Sequence, residues 1–267
     1  MLKKLLLFTF VGLMPICITA QESENDYELR SNEKKGWIID KDGNKIEGVV
    51  RMMGDKDTPW ENQLKVRFIA NSDIDSSKKK QKLKVLDADD LKGYAAYDGD
   101  ELREFELIKY KNFREASKND GGGIGGKIKT IKNISQSSYI AEVLIKGPVT
   151  VYRLYALPTS VAIGEKDVQQ MEKDIRDIKG NPSILVSKNG SRVEELNSSD
   201  FKKFTEDCEF VRSKMLNKEY VSYSPEKEEK KKSKLGALIK SEAELNGFKV
   251  QNMAYDIFTD YNEHCGK

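Results

Sequence analysis

The amino-acid sequence predicts an α+β protein: an antiparallel β-rich body, built as a sandwich or a partly closed barrel, followed by C-terminal helices. Short apolar runs before residue 197 are repeatedly joined by Asp-Gly or Asn-Gly, which are strong hairpin signals. After that residue the apolar positions change to a helical spacing. We therefore divide the chain into a signal peptide (1–20), a flexible lead-in (21–35), the β-rich body (36–196) and a helical region packed on the sheet (197–267).

Three hairpins are predicted in the body, because pairs of apolar runs flank dipeptides that tolerate positive φ angles. Their strands and turns are 36–40 and 45–51 around Asp42 and Gly43, 93–97 and 101–108 around Asp98 and Gly99, and 182–187 and 191–196 around Asn189 and Gly190. We expect type I′ turns, in which both central residues have positive φ angles.

Further strands are predicted at residues 64–70, 82–86, 139–145 and 149–157. The last of them has apolar groups on both faces, which predicts burial on both sides of the sheet. The lysine-rich residues 71–81 are expected to form a solvated hairpin tip, and residues 115–126 a glycine-rich loop. Short strands at this spacing are typical of an antiparallel sandwich or barrel.

The helical region begins after a cluster of polar residues that is typical of a helix start. Phe201, Phe204 and Cys208 follow at helical spacing, and a second turn or helix continues from there. Residues 227–245 predict a helix that starts with a charge run, and an apolar stripe over residues 250–261 predicts the last helix. We expect these last two helices to be antiparallel and to pack on one face of the sheet.

The first twenty residues have the layout of a secretory signal peptide. Lys3 and Lys4 form a basic start, an apolar core follows, and Ala20 supplies the small residue at the cut. Cleavage after Ala20 leaves Gln21 as the first residue of the mature chain. The sequence therefore predicts an exported protein, either periplasmic or extracellular and associated with the outer envelope.

Composition narrows the classes of partner. Removing the signal removes two lysines and no acids, so the formal net charge of +2 falls to about zero. A neutral chain lacks the positive field that nonspecific binding needs, so no nucleic acid is expected as a partner. Apolar residues make up 38% of the chain, which is enough for a core, so global disorder is not expected. No apolar run of about 18 residues follows the signal, so no transmembrane segment is expected after signal removal.

Three cysteines raise two questions. Cys17 could belong to a lipoprotein signal, but the bulky Ile16 stands where that signal requires a small residue. Cys208 and Cys265 remain in the mature chain, and two cysteines in an exported protein most often form a disulfide. The alternative is two separate thiols.

Two short patterns lie at opposite ends of the mature sequence. They are an N-terminal hairpin with Gly36, Trp37, Gly43 and residues 46–50, and a C-terminal set of Lys188, Gly190, Phe201, Phe204, Asp207, Cys208, Tyr261, Asn262 and Cys265. In these patterns the chain resembles a family of exported β-rich proteins of Gram-negative bacteria that has no established activity. The resemblance implies an envelope location and favours the pairing of Cys208 with Cys265.

Two loops match ligand-binding motifs in part of their spacing. Residues 121–127 have the glycine spacing of a phosphate-binding or dinucleotide-binding loop, but Ile128 replaces the hydroxyl that binds magnesium, and the flanks predict loop and strand. Asp40, Asp42 and Asn44 match the first oxygen ligands of an EF-hand loop, but basic residues occupy the required glycine and glutamate positions. We therefore predict a glycine-rich loop and a hairpin turn, with no cofactor and no metal.

Two acidic clusters are candidates for general acid and base chemistry: Asp87, Asp89, Asp90, Glu101, Glu104 and Glu106. A glycoside hydrolase needs two carboxylates at a defined separation across a cleft, whereas clusters in a chain with 44 acids are usually solvated. His264 is the only histidine and neighbours Cys265. Adjacent side chains on a helix point about 100° apart, so the two are not expected to share a ligand.

Six aromatic residues could form a platform for sugars or peptides: Trp37, Trp60, Tyr94, Tyr97, Tyr152 and Tyr155. Most occupy strand positions, where aromatic residues fill the core or pair across strands. The lysine runs 78–80 and 230–232 could contact anionic lipid or polysaccharide. Short runs of this kind are more typical of solvated faces.

The sequence favours an exported, non-catalytic envelope or surface protein with a binding or structural role, whose partner is an envelope component, protein or glycan. One alternative is a secreted hydrolase of polysaccharide or peptide that uses a carboxylate pair. Another is a carrier of a small ligand or lipid, which requires a cavity inside the β body. No catalytic, cofactor-binding or metal-binding residue is predicted.

Overall fold

A computed structural model describes residues 27–110, 138–158, 165–223 and 247–266. Several predictions therefore lie outside the described residues. These are the signal peptide with its cleavage site at Ala20 and Gln21, Cys17, the glycine-rich segment 115–126 with the motif at 121–127, the helix predicted at 227–245, and the lysine run 230–232.

The body is one antiparallel sheet of ten strands in the order β10-β9-β8-β7-β6-β5-β1-β2-β3-β4. Strands that follow each other in the chain are neighbours in the sheet, except for β4 and β5. Strand β5 pairs with β1 instead, and β4 lies at the edge of the sheet. The strands are β1 Lys34–Asp40, β2 Lys45–Met52, β3 Lys65–Ala70, β4 Lys84–Asp87, β5 Leu91–Asp98, β6 Glu101–Lys109, β7 Ser138–Ile145, β8 Val149–Leu154, β9 Ser183–Lys188 and β10 Glu194–Glu195. Together with the helices below, this sheet confirms the predicted α+β class.

Short 3₁₀ helices and four α-helices complete the described residues. They are η1 Pro59–Gln63, η2 Asn71–Asp73, η3 Ala88–Asp90, α1 Glu165–Gly180, α2 Phe201–Thr205, α3 Glu209–Leu216 and α4 Gly247–His264. Within residues 165–223 and 247–266, no helix is long and apolar enough to cross a membrane. Helices α2, α3 and α4 occur within the segments that were predicted to be helical. Helix α2 ends at Thr205, however, and Cys208 has an extended backbone before α3 instead of continuing the helix of Phe201 and Phe204.

Helix α1 was not predicted, because residues 36–196 were assigned entirely to the β-rich body. The helix lies in the connection from β8 to β9, which are antiparallel neighbours. Its apolar residues Val168, Met171, Ile175 and Ile178 do recur at helical spacing, and only Ile178 among them is buried. The stripe was therefore present in the sequence, but apolar residues are few in this segment and charged residues fill most other positions.

The first seven strands curl around a common interior, which we call the barrel cluster. Its buried members are Ile38, Val50, Val66, Phe68, Leu86, Leu91, Tyr94, Ala96, Phe105 and Ile140. The outer strands of this part, β4 and β7, are not neighbours in the sheet, but η1 and η3 contact β7 across the gap. This half of the sheet is therefore a partly closed barrel, and the gap is its seam.

The other half of the sheet carries the helices. Residues of β8 and β9 pack with α2, α3 and α4 in a second buried cluster, which includes Val149, Val151, Ile184, Val186, Phe201, Phe204, Val211, Met253, Ile257, Phe258 and Tyr261. On the opposite face of β8, Tyr152 and Leu154 belong to a third cluster. Strand β8 is therefore buried on both sides, as its apolar pattern predicted.

One of the three predicted type I′ turns is present. Asn189 and Gly190 have φ angles of 52° and 69°, as that turn requires. In the second hairpin Asp98 pairs with Glu101, so the loop is Gly99 and Asp100, with Gly99 at a φ of 68°. Glycine in the first central position indicates a type II′ turn, which corrects the prediction by one residue.

The first hairpin turns over residues 41–44, as predicted, but it does not form a type I′ turn. Gly43 has a φ of 96°, whereas Asp42 does not have a positive φ angle. The Asp40 carboxylate accepts hydrogen bonds from the backbone N–H groups of Asp42, Gly43 and Asn44 at 2.8–2.9 Å. The carboxylate of Asp40, which suggested the first ligand of an EF-hand, therefore holds this turn together.

The predicted flexible lead-in differs from the structure over its last residues. Lys34 and Lys35 are part of β1, and Glu33 is only 3% exposed. The Tyr27 hydroxyl donates a hydrogen bond to Glu33 at 2.6 Å. These groups are six residues apart in a polar segment without periodicity, so the sequence carried no signal for their contact.

Candidate functional site

An open pocket of about 260 Å³ lies at the seam of the barrel, where β4 and η3 approach the start of β7 and the residues after β8. We call it the seam pocket. Its walls are formed by Gln63, Leu64, Asp87, Ala88, Asp89, Ser138, Tyr139, Tyr155 and Leu157. Two aspartates, two tyrosines and a serine thus face the same space between apolar side chains.

The acidic wall of the pocket is held by a capping box on η3. The side chains of Asp87 and Asp90 accept hydrogen bonds from each other's backbone N–H groups. Asp90 also forms an ion pair with Lys41 at 3.2 Å, and this contact lowers the pKa of its carboxyl. Asp87 and Asp89 are exposed and line the pocket. The sequence singled out all three acids, and the structure places two of them on the pocket wall.

Gln63, one of the residues that line the pocket, is only 5% exposed and is fixed by hydrogen bonds. Its side-chain nitrogen donates to the backbone oxygen of Tyr155 at 2.9 Å, and its oxygen accepts the backbone N–H of Tyr155 at 2.5 Å. The preceding residue, Asn62, accepts the buried hydroxyl of Tyr94 through its backbone oxygen at 2.8 Å. The connection between β2 and β3 is therefore tied both to the barrel interior and to the chain after β8.

A charged triad lies between the barrel cluster and the helices. It consists of Arg103 on β6, Glu142 on β7 and Arg153 on β8. Arg103 donates to one oxygen of Glu142 at 2.8 Å, and Arg153 donates to the other at 2.5 and 3.0 Å. Glu142 is 7% exposed. Burial opposes ionisation of this carboxyl, but the two guanidinium groups outweigh it and hold the pKa of Glu142 below its ordinary value.

Arg153 also reaches beyond the triad. One of its terminal nitrogens lies 3.4 Å from the side-chain oxygen of Gln251 on α4. Its guanidinium carbon lies 5.8 Å from the ring centroid of Tyr155, within the range of a cation–π contact. Burial raises the pKa of Tyr155. The triad therefore joins the helical layer to a residue of the seam pocket.

Seven residues near the C-terminal helices meet in one place, which we call the C-terminal lock: Lys188, Phe204, Asp207, Cys208, Tyr261, Asn262 and Cys265. The Lys188 ammonium donates to both oxygens of Asp207 at 2.7 and 2.8 Å, and to the backbone oxygen of Phe204 at 2.8 Å. The Tyr261 hydroxyl donates to Asp207 at 3.0 Å. Asn262 exchanges two hydrogen bonds with the backbone of Val149 on β8. These contacts hold α4 on the sheet.

Cys208 and Cys265 form a disulfide in the same place, with Cα atoms 5.7 Å apart. Cys208 is fully buried and precedes α3, while Cys265 follows α4. The pairing expected for an exported chain is therefore present, and the alternative of two separate thiols is not. The lock residues serve the fold, since each one connects two elements.

His264 does not meet Cys265 in a shared site. Its ring stacks on Phe210 with centroids 3.8 Å apart, and its Nδ1 lies 3.0 Å from the backbone oxygen of Asp260. The side chains of Asp260, Glu263 and His264 do approach one another within 4.8 Å. However, Lys214 forms an ion pair with Asp260 at 2.5 Å and so competes with any cation there.

The six aromatic candidates are divided among different places. Trp60, Tyr94 and Tyr152 are buried. Trp37 and Tyr97 form an edge-to-face pair 6.2 Å apart on the outer face of the sheet, and Tyr155 lines the seam pocket. The six residues therefore do not form one platform.

Three of the remaining charged candidates, Glu104, Glu106 and Lys78, form ion pairs. Lys146 contacts Glu104 at 2.7 Å and Glu106 at 3.2 Å, and Lys78 contacts Asp75 at 2.8 Å. These contacts are partly exposed and fit the prediction of solvated charged faces.

Sequence reasoning missed the triad and the role of Gln63. Glu142 did give a signal, since it is a lone carboxylate inside the apolar run of β7.

Three polar features stand out among the described residues: the seam pocket, the charged triad and the C-terminal lock. The pocket is open and presents polar groups to solvent, whereas the side chains of the triad and the lock bond to one another. No family model, curated protein or solved structure matches this chain.

Proposed function

We propose that this chain is an exported, non-catalytic protein of the Gram-negative envelope that binds a glycan in the seam pocket. One observation carries the proposal: Tyr139 and Tyr155 share an open pocket with Asp87 and Asp89. The tyrosine rings offer flat apolar surfaces with a polar edge, which suit the C–H faces of a sugar. Carboxylates are strong acceptors and suit its hydroxyl groups.

The same pocket supports binding better than hydrolysis. A glycosidase needs one carboxylic acid that stays protonated, and this usually requires apolar surroundings or a close second carboxylate. Asp87 and Asp89 both lie at the exposed rim on η3 and its cap. Hydrolysis by this carboxylate pair is the second candidate function, and it predicts turnover that each aspartate controls.

The structure gives less support to a lipid or small-ligand carrier. Such a carrier needs an apolar cavity within the β body. Here ten buried side chains of β1 to β7 meet in the barrel cluster, and Tyr94 stacks on Phe105 with ring centroids 4.5 Å apart. The space that a carrier would use is filled by packed side chains in this part of the chain.

Substitution of the pocket residues tests the proposal. We expect Asp89→Asn and Tyr139→Ala each to weaken the binding of soluble N-acetylhexosamine or hexose oligosaccharides by about tenfold or more, because each removes a contact worth about 1.5 kcal/mol. Asp73→Asn, at an exposed aspartate of η2, is the matched control and should leave affinity unchanged. Isothermal titration calorimetry measures the affinity of each of these three variants and of the wild type.

Two results would overturn this assignment. One is a wild-type protein that binds none of these oligosaccharides at millimolar concentration. The other is the release of new reducing ends from an oligosaccharide, if Asp87→Asn or Asp89→Asn abolishes that release while circular dichroism shows an unchanged fold. The second result would favour the hydrolase.

Export is a separate prediction, which rests on the layout of residues 1–20 and is compatible with the disulfide. We expect the protein recovered from envelope fractions of the producing cell to begin at Gln21. Mass spectrometry of the N-terminal peptide measures this directly. An intact Met1, or a lipid on Cys17, would contradict it.

A further inference from the structure

Arg153 touches both the last helix and the seam pocket. Its guanidinium group holds Glu142 through two nitrogens, lies against Gln251 of α4 and sits over the ring of Tyr155. The side chain of Arg153 is 18% exposed. A planar guanidinium with several fixed donors can hold such contacts in one orientation, which a lysine ammonium cannot.

Tyr155 is held from two sides. Gln63 bonds to both backbone groups of Tyr155 and so fixes where the residue sits. The ring lies beside Arg153, which limits the directions in which it can point. Tyr155 and Gln63 both line the pocket, so the orientation of the Tyr155 ring sets part of the shape of the pocket wall.

We infer that Arg153 is a positioning residue, through which α4 sets the orientation of Tyr155 in the seam pocket. The inference rests on the proposed function of that pocket as a binding site, but the geometry that it describes exists without ligand. Helix α4 is itself anchored by the C-terminal lock. The lock, α4, Arg153 and Tyr155 therefore form a continuous line of contacts from the disulfide to the pocket.

The charges of the triad explain why Arg153 can fill this role. Arg103 also binds Glu142, so the carboxylate is held from two sides and offers Arg153 a fixed partner. The charges of the triad also act on Tyr255, one turn after Gln251 on α4. Burial raises the pKa of Tyr255, Arg153 lowers it and Glu142 raises it.

The test uses the full mature protein, with the Tyr155 ring labelled for NMR. We expect Gln251→Ala and Arg153→Lys each to shift the Tyr155 ring signals without ligand, and to speed hydrogen exchange of the Tyr155 amide by about threefold or more. The affinity for the oligosaccharide probe should fall by about threefold to tenfold. Asn252→Ala, at an exposed position next to Gln251, is the control and should change neither.

The outcomes separate this inference from the proposed function. Unchanged ring signals in both Gln251→Ala and Arg153→Lys would overturn it. Shifted ring signals in a protein that binds no oligosaccharide would support the coupling and count against the glycan proposal alone. Because Gln251 is half-buried and contacts Arg153 only through its side chain, Gln251→Ala provides the measurement even if Arg153→Lys fails to fold.

Discussion

Replacing Glu142 with glutamine is expected to destabilise the folded protein by about 3–5 kcal/mol, because it leaves two guanidinium groups in a partly buried place without a negative charge. Glu142 is 7% exposed, and the side chains of Arg103 and Arg153 are 22% and 18% exposed. Urea unfolding of the mature protein measures the loss. The same substitution at an exposed carboxylate should cost far less.

Glu104→Gln provides that comparison. Glu104 lies on the neighbouring strand β6 and pairs with Lys146, whose side chain is 63% exposed. Exposed ion pairs contribute about 0–1 kcal/mol, so this variant should remain close to the wild type. Equal losses for Glu142→Gln and Glu104→Gln would show that the triad has no special part in stability.

The contribution of Glu142 to folding stability should also depend on pH, and it should decrease in acid. Its pKa is lowered in the folded protein, so the ionised carboxylate favours folding. This contribution is complete above the unfolded pKa of about 4.3 and is lost as the pH falls through the lower folded pKa. The stability gap between wild type and Glu142→Gln should therefore be constant near neutral pH and narrow in acid.

Removal of the disulfide is expected to cause the second large loss of folding stability. The bridge closes a loop with a sequence separation of 57, and the double variant Cys208→Ser with Cys265→Ser should lose about 4 kcal/mol. The reason is that the unfolded chain gains conformational freedom. Because the bridge follows α4 directly, we expect hydrogen exchange to rise most in residues 257–264, at the end of that helix.

Asn262→Ala separates the covalent tie from the other contacts of the lock. This variant keeps the disulfide but removes the two hydrogen bonds to Val149. It should raise exchange in the same helix with a smaller loss of stability, of about 1–3 kcal/mol. Unchanged exchange in α4 after reduction of the disulfide would contradict the role that we give to the lock.

The parts of the fold that depend on local sequence were predictable. Asn189 and Gly190 adopt their turn because the required φ angles suit these two residue types. The second turn is centred on Gly99 and Asp100, one residue later than predicted. The pairing of Asp98 with Glu101 sets this position, and the register of the two strands cannot be read from the Asp-Gly dipeptide alone. Helix α1 was missed because its segment contains few apolar residues, although these recur at helical spacing.

The candidate site was predictable only in part. The acids Asp87 and Asp89 stood out as a cluster, but Gln63 and Tyr139 come from distant parts of the chain and carry no common spacing. The triad was not predictable for the same reason, because Arg103 and Glu142 are separated by 39 residues. Such contacts follow from the strand order, which short motifs do not encode.

The central claim is that the seam pocket binds a glycan without turning it over. The most direct measurement is NMR of the mature protein with an N-acetylhexosamine oligosaccharide, in which intermolecular NOEs locate the sugar and the reducing ends are counted before and after. We predict NOEs from sugar C–H groups to the rings of Tyr139 and Tyr155, with an unchanged number of reducing ends. NOEs to the outer pair of Trp37 and Tyr97 instead, or a rising number of reducing ends, would contradict the claim.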